Sequence, residues 1–491
     1  MVFKANNFTI GALFSFLSAV CLALTLPYFN WWWLVWVAFV PYFFALRRAP
    51  SISSAFLFTM IFGSVYCIAV VAPLFQLTTI WWANGASIIN NALIVWLLVL
   101  ATAIYGSLFF FPFAYLERRF RVSHMRDVLV AALVWSVIEY VRSRYALLGY
   151  GWGTIGYTLV DATYVRGNAA LVGVYGLSFL IITVNMLIVL VSERIKKNTF
   201  VEFQRVLKGF LLPREKNWTV VIILIWLCAI GYGMWQNAVT APRLSSPLHV
   251  ALIVANSDDP SVSGGLYRAY RGKIIELLKE RPETNIILLP ENTFPFFLVD
   301  EGTKMLAAGQ MVQLDERDEL YKDFILLSKE YFTTTFAIGL HTIRQDKRYN
   351  TLVFYRNGKI VGMLHKERLV PFFEYAPLGL PIPLFESLTQ GDPWQEITLS
   401  GNTLGMLMCS EISDGSILPA SASLILSPSN DGVFASKAAG YVHNVLARMR
   451  AIESGAYLLR ANRGGISSII SPKGEIIMTS VGDTVLFETL Y

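Results

Sequence analysis

The chain has 491 residues, of which 55% are hydrophobic and only 15% charged, with a mean hydropathy of +0.52. Soluble globular chains carry nearer a quarter charged residues, so this composition excludes an ordinary soluble protein. The net charge of +6 is unevenly spread: residues 1–242 hold 17 Lys and Arg against 7 Asp and Glu, and residues 243–491 hold 23 against 27. The basic excess therefore lies in the apolar half, where basic loops set membrane topology, and no basic-aromatic surface pattern argues for a nucleic-acid partner.

Apolar runs long enough to cross a bilayer, which takes about 17–25 residues, recur at 8–27, 31–46, 55–75, 88–115, 128–143, 168–191 and 218–236. The second and fifth are short. The first lacks a small-residue cleavage site and is followed by others, so it reads as a span rather than a removed leader. With the amino terminus inside, the inner segments carry 14 Lys and Arg and the outer segments three, Arg142, Arg144 and Arg166. That asymmetry favours this orientation. Seven spans then place everything after residue 242 on the outer face.

From about residue 245 the pattern changes to short apolar runs: HVALIVAN (249–256), NIILLPEN (285–292), TFAIGLHT (335–342), NTLVFYRNGKIVGMLHK (350–366), TLGMLMCSE (403–411) and LILSPSN (424–430). Helical segments fall between them, among them LYRAYRGKIIELLKE (266–280) and NVLARMRAIESGAYLL (444–459). Near-continuous apolar strands alternating with helices predict sheets buried by helical layers, in a segment long enough for one sizeable core. The closing SVGDTVLFETLY (480–491) is too short and polar for another span. The expected organisation is a polytopic helical membrane domain of about seven spans (1–242) followed by an exported α/β domain (243–491).

Of the four cysteines, Cys21, Cys67 and Cys228 lie inside predicted spans, and Cys409 alone lies in the predicted exported domain. It has no disulfide partner there, so it is either an inert buried thiol or a thiol whose reactivity is used. Two further apolar runs end on chemically capable residues, Glu291 after Pro290 and Lys366 after GMLH. Chemistry in α/β folds gathers at strand ends and the loops after them. A buried carboxylate can act as base for a thiol, and an ammonium can stabilise the anion formed on attack at a carbonyl. Taken singly, Glu291 and Lys366 also fit a structural ion pair. The five histidines are too scattered to suggest a metal site, and no cofactor is expected.

These residues carry a family resemblance. LLPENTFP with Glu291, LHKERLVPFFEYAPL with Lys366 and Glu374, and LMCSEI with Cys409 resemble the Glu-Lys-Cys triad of the nitrilase superfamily. Within it, YGWGTIGYTLVD (150–161), GVYGLSFL (173–180), SPSNDGVF (427–434) and ARMRAIESGAYLLRANRGGISSII (447–470) resemble motifs of the apolipoprotein N-acyltransferase family. The resemblance implies an α-β-β-α sandwich on the periplasmic side of a bacterial inner membrane. It implies Glu291 as general base, Cys409 as nucleophile forming a thioester, and Lys366 holding the oxyanion. Glu374 and Glu411 would be supporting carboxylates. A phospholipid would be the acyl donor and the α-amino group of a diacylated apolipoprotein the acceptor, with a monomer expected. The chain departs from the family at Ser410, where a tyrosine is common, and in lacking a Trp between 236 and 393.

The apolar loops NTFPFFLV (292–299) and PFFEYAPLGLPIPLF (371–385) follow two of the site candidates. Beside lipid they would gate acyl entry, with Phe296, Phe297, Phe372 and Phe373 as candidates. The competing readings are a membrane-tethered amidase, an acyltransferase for another amine, and a non-catalytic scaffold. A transporter is also conceivable, but Glu139 is the only acidic residue inside the predicted spans, which is thin for an ion-coupled pathway.

Overall fold

A computed structural model describes residues 7–71, 88–145, 151–195, 200–210, 213–239, 244–255, 265–293, 297–299, 305–306, 314–344, 347–371, 374–375, 387–393, 395–418, 421–434 and 437–491. The chain forms two compact units, Met1–Thr240 and Ala241–Tyr491.

The first unit is helical: α1 (Asn7–Ala23), α2 (Val40–Arg48), α3 (Ile52–Val71), α4 (Ile88–Leu108), α5 (Phe111–Phe120), α6 (Met125–Tyr145), α7 (Ala169–Arg194), α8 (Phe200–Gly209) and α9 (Pro213–Ala238). Among the described residues, four stretches are long and apolar enough to cross a membrane: Ile52–Val71, Val99–Phe120, Arg166–Arg194 and Glu215–Ala238. Asn7–Ala23 is a shorter apolar helix.

Two apolar runs are not the single helices their length suggested. The run at 31–46 divides into a 3-10 turn, Trp32–Trp36, and the nine-residue α2, which has a proline in its first turn. The run at 88–115 breaks between α4 and α5, again with a proline at the new start. Proline lacks the N–H that a continuing helix needs, yet suits a first turn. The first break is stapled by Asn185 of α7, which accepts from the Phe39 N–H at 3.0 Å and donates to the Val35 carbonyl at 2.9 Å.

Glycine explains part of the 150–161 motif. The 3-10 segment Ile155–Asp161 lies so close to α7 that a Cβ on Gly156 would sit 2.0 Å from the Val174 carbonyl oxygen. The same segment is tied to α6 by the Ile155 N–H donating to Glu139 at 3.0 Å, with Arg142 3.9 Å from that carboxylate. Arg47, at the end of α2, is buried between Glu117 of α5 (2.8 Å) and Glu193 of α7, and donates to the Val122 carbonyl at 3.0 Å.

The second unit holds two sheets. The first contains β1 (Leu248–Val254), β2 (Ile286–Leu288), β3 (Phe297–Val299), β4 (Met305–Leu306), β5 (Thr335–Arg344), β6 (Lys347–Arg356) and β7 (Lys359–His365). The second contains β8 (Ile397–Leu399), β9 (Asn402–Met406), β10 (Leu424–Asn430), β11 (Tyr457–Arg463), β12 (Ile466–Ile470) and β13 (Ile476–Val481); β14 (Thr484–Leu490) returns to the first sheet beside β1. The orders are β14-β1-β2-β5-β3-β4, with β6 on β5 and β7 on β6, and β13-β12-β11-β10-β9-β8.

Leu252, Leu288 and Leu352 of one sheet meet Met408, Leu426 and Leu459 of the other in the central core. On the outer face of the first sheet, Ile253, Ile287 and Phe336 pack against α10 (Gly265–Glu280) and α11 (Leu314–Glu330). Helix α12 (Lys437–Ser454) covers β11 and β12. The unit is an α-β-β-α sandwich. Its central strands are buried on both faces, which is why they read as unbroken apolar runs.

The β-rich run 350–366 folds as a hairpin: Asn357 and Gly358 both take positive φ, 49° and 70°, the pair a tight two-residue turn requires. One expected element is corrected. The helix expected at 444–459 stops at Ser454, where Gly455 at φ 63° ends it and Tyr457 opens β11.

Arg47→Met should strand the buried Glu117 without its cation, while Glu193 keeps Arg121 at 3.0 Å. Loss of one partner of a buried pair costs about 3–5 kcal/mol, so the detergent-purified variant should show a clearly lowered thermal midpoint. An unchanged midpoint would mean that the cluster is not structural.

Candidate active site

Three strand ends converge within the second unit. β2 ends at Leu288, and Pro290 and Glu291 follow in a turn. Thr293 pins this turn, its hydroxyl donating to the Pro290 carbonyl at 2.6 Å and its N–H to the Gly339 carbonyl at 3.0 Å. Gly339 permits the contact, since a Cβ there would sit 2.4 Å from the Pro290 oxygen. Lys366 follows β7 directly. Its N–H donates to the Asn350 carbonyl and its own carbonyl accepts from Gly391, each at 2.8 Å. Cys409 follows β9 as the first residue of a 3-10 turn, Cys409–Ser413, in the left-handed region at φ 52°. A non-glycine residue there carries backbone strain, which the surrounding structure must hold.

The side chains of Glu291, Lys366 and Glu374 meet in one buried group. The Lys366 ammonium, 1% exposed, lies 2.9 Å from Glu374 Oε1 and 3.7 Å from Glu291 Oε1. Asn350, on β6, donates through its one amide nitrogen to Glu291 Oε1 at 2.8 Å and Glu374 Oε1 at 3.2 Å. Glu374 Oε2 accepts from the Val370 N–H at 2.7 Å.

Glu411 has a different task. It accepts from the N–H groups of Glu367 (2.7 Å) and Arg368 (2.9 Å) with one oxygen, and from the Met408 N–H (2.7 Å) with the other. A single buried carboxylate thus ties the loop after Lys366, on one sheet, to the cysteine turn on the other.

Protonation follows from this crowding. Burial pushes the Glu291 carboxyl above its ordinary 4.5; the Lys366 ammonium opposes that, Glu374 adds to it, and hydrogen bonds from Asn350 and the Cys409 thiol oppose it. The thiol is pushed well above its ordinary value by burial and by Glu291, against the pull of Lys366. Burial also works against the Lys366 ammonium, but Glu374 and Glu291 outweigh it and hold the charge. Glu374, despite burial, is kept below its ordinary value by Lys366. Burial lifts Glu411 to about 7, against Lys366 and its three backbone donors. The resting site therefore pairs a neutral thiol with a carboxylate whose proton affinity is raised, the arrangement a general base needs.

Among the gate candidates, Phe296, Phe372 and Phe373 lie outside the described residues, and Phe297 opens β3. Asn350 is the site residue that sequence reasoning missed. It opens the β-rich run 350–366, and only the β6–β7 hairpin brings it beside Lys366 at the other end. None of the four cysteines is in a disulfide.

Comparison with known proteins agrees with this architecture. Residues 259–485 match the carbon-nitrogen hydrolase family, which defines the class of the second unit. Residues 18–187 match the apolipoprotein N-acyltransferase N-terminal domain. Proteins named apolipoprotein N-acyltransferase align along most of the chain. The one from Geobacter metallireducens is 26% identical over 94% of this chain and 86% of its own; that of Neisseria meningitidis serogroup B is 27% identical over 93% and 85%. The Aquifex aeolicus protein is 26% identical over 70% and 71%. The chain belongs to the apolipoprotein N-acyltransferase family.

Glu411→Gln puts an amide N–H where the Met408 or Glu367 N–H now finds an acceptor. A buried donor left unsatisfied costs roughly 1–3 kcal/mol, so Cys409 alkylation by iodoacetamide should slow while the protein still folds; an unchanged rate would remove Glu411 from the site. The rate of Cys409 reaction in the wild type should fall as pH drops through a midpoint above 4.5, because Glu291 must be ionised to take the thiol proton. Lys366→Met should move that midpoint higher, since the ammonium favours the carboxylate. A midpoint at or below 4.5, or a downward shift in the variant, would contradict the assignment.

Proposed function

We propose that this protein transfers an acyl chain from a phospholipid to the α-amino group of an apolipoprotein's N-terminal diacylglyceryl-cysteine, through a thioester on Cys409. The observation that carries this reading is the turn that presents Cys409 at positive φ, in a site where Glu291, Asn350, Lys366 and Glu374 are hydrogen-bonded or ion-paired. The names of the relatives supply the acceptor.

In the first half-reaction Glu291 takes the thiol proton and the sulfur attacks an ester carbonyl of the phospholipid. Lys366 stabilises the oxyanion, together with a backbone N–H near Cys409. Collapse breaks the ester C–O bond, and Glu291 returns the proton to the departing lysophospholipid hydroxyl. In the second, the amine attacks the thioester, Glu291 accepts a proton from it, and the amide forms as the thiol regains that proton. Exchange of a thioester for an amide is downhill. Asn350 and Glu374 are positioning residues: they hold the base and the ammonium in a longer ion pair of 3.7 Å, short of a hydrogen bond.

The first unit then serves as a membrane anchor of about seven spans with its amino terminus in the cytoplasm, placing residues after 242 on the periplasmic side of the inner membrane. The apolar segments around Phe296, Phe297, Phe372 and Phe373 are read as the entrance for the acyl chain.

Intact mass of the detergent-purified protein after incubation with a diacyl phospholipid should show one added acyl group in the wild type and none in Cys409→Ala. Replacing Phe296 and Phe297 by Ser should slow acylation with little change in thermal midpoint. A chain that never acquires acyl mass from any phospholipid offered would overturn the donor assignment, and equal losses of stability and rate would make the phenylalanines core rather than entrance.

A further inference from the structure

A second buried polar cluster lies in the sandwich that the reaction as written does not use. Asp431, at the end of β10, is 1% exposed and is held by three side chains. His443 Nδ1, on α12, lies 2.7 Å from Oδ1; Arg460 Nη2 and Asn462 Nδ2, both on β11, donate to Oδ2 at 3.2 and 2.6 Å. Asn462 also accepts from the Asp431 N–H at 3.0 Å, and Arg460 Nη1 donates to the Ser427 hydroxyl at 3.2 Å. All of these donors are essentially without exposure. Gly464, at φ 75°, lets the β11–β12 turn close on this loop, since a Cβ there would sit 2.3 Å from Gly432 Cα.

Topology sets this cluster beside the nucleophile. β9 and β10 are parallel neighbours, so the turns that follow them leave the same end of the sheet. The Leu407 N–H donates to the Leu426 carbonyl, continuing the pairing toward Cys409. Helix α12 packs against both turns, 409–413 and 431–434. Burying an aspartate with an arginine and a histidine is costly and brings little net stability when apolar packing could fill the same volume. A cost of that kind at the end of the strand next to the reactive one calls for a role in the site.

We infer that Asp431 is a positioning residue for Cys409, fixing the loop that floors the cysteine turn and setting the charge beside the thiol. The inference rests on Cys409 being the nucleophile. The charged groups facing the thiol are Glu291, Lys366, Glu374 and Asp431; those facing Asp431 are His443 and Arg460, with the Asn462 amide. Burial works against ionisation of Asp431, but His443 and Arg460 outweigh it and keep the carboxylate charged at every working pH. Its negative charge adds to burial and to Glu291 in keeping the resting thiol neutral, and neutral thiols resist the oxidation that thiolates invite. Thiolate then forms only as Glu291 takes the proton.

The test is the pH dependence of Cys409 alkylation by iodoacetamide in the full-length protein, read on the Cys409 peptide by mass spectrometry. Asp431→Asn removes a negative charge, so the rising limb should move to lower pH. Alkylation at pH 7 should be about threefold faster or more, the factor that accompanies a limb displaced by roughly 0.5 in pH. Arg460→Gln removes a positive charge from the same cluster and should move the limb to higher pH. A purely structural role would loosen the turn in both variants and move both profiles the same way. Displacements of one sign, or none in either variant, would overturn the inference; if one variant does not fold, the sign of the other decides. No lipid enters this experiment, so a failure of acyl transfer would leave its result standing.

Discussion

One buried ammonium governs the geometry of this site. Lys366 is set against two carboxylates, Glu374 at 2.9 Å and Glu291 at 3.7 Å, in a pocket where Asn350 bridges the same two acids. One positive charge cannot stabilise two ionised carboxylates and a thiolate at once, so the protons are apportioned by distance and burial. Glu374, nearest the ammonium, stays ionised. Glu291, farther away, keeps a raised proton affinity, and burial with Glu291 beside it keeps the Cys409 thiol protonated at rest. In the proposed reaction the same ammonium would face the oxyanion, since its hydrogen bond goes to Glu374 and its ion pair with Glu291 is the longer one, 3.7 Å.

The fold delivers these groups from two separate sheets. Glu291 and Lys366 end strands of one sheet and Cys409 ends a strand of the other. The separation is bridged by Glu411, whose carboxylate collects N–H donors from both sides. Sheet-to-sheet packing through Leu288, Leu352 and Met408 sets the spacing coarsely, and the Glu411 hydrogen bonds set it finely. The left-handed Cys409 is tolerable because the turn it opens is held at Met408, at the strand behind it and at α12. Strain at Cys409 is offset by order around it.

Much of this was legible in the residues. Strands such as 249–256 and 424–430 stand out because both faces are buried, and Glu291, Lys366 and Cys409 are conspicuous because each interrupts an apolar run at its end. What was not legible depends on pairing across distance. Asn350 looks like one more residue of a strand until the Asn357–Gly358 turn folds that strand back. His443, Arg460 and Asn462 are ordinary residues of a helix and a strand until Asp431 gathers them. In the first unit, length and hydropathy hid the breaks before Pro41 and Pro112, although the prolines themselves were in plain view.

The most direct test of N-acyl transfer isolates the acyl-enzyme and asks what resolves it. Protein acylated by a phospholipid with an isotope-labelled chain would be freed of lipid and mixed with a diacylated lipopeptide, and the fate of the label followed in a single turnover. Transfer through Cys409 predicts that the label leaves the cysteine faster when lipopeptide is present and is recovered as an amide on its N-terminal amine. Label released as free fatty acid at the same rate with and without lipopeptide would make water the acceptor, and the enzyme a hydrolase.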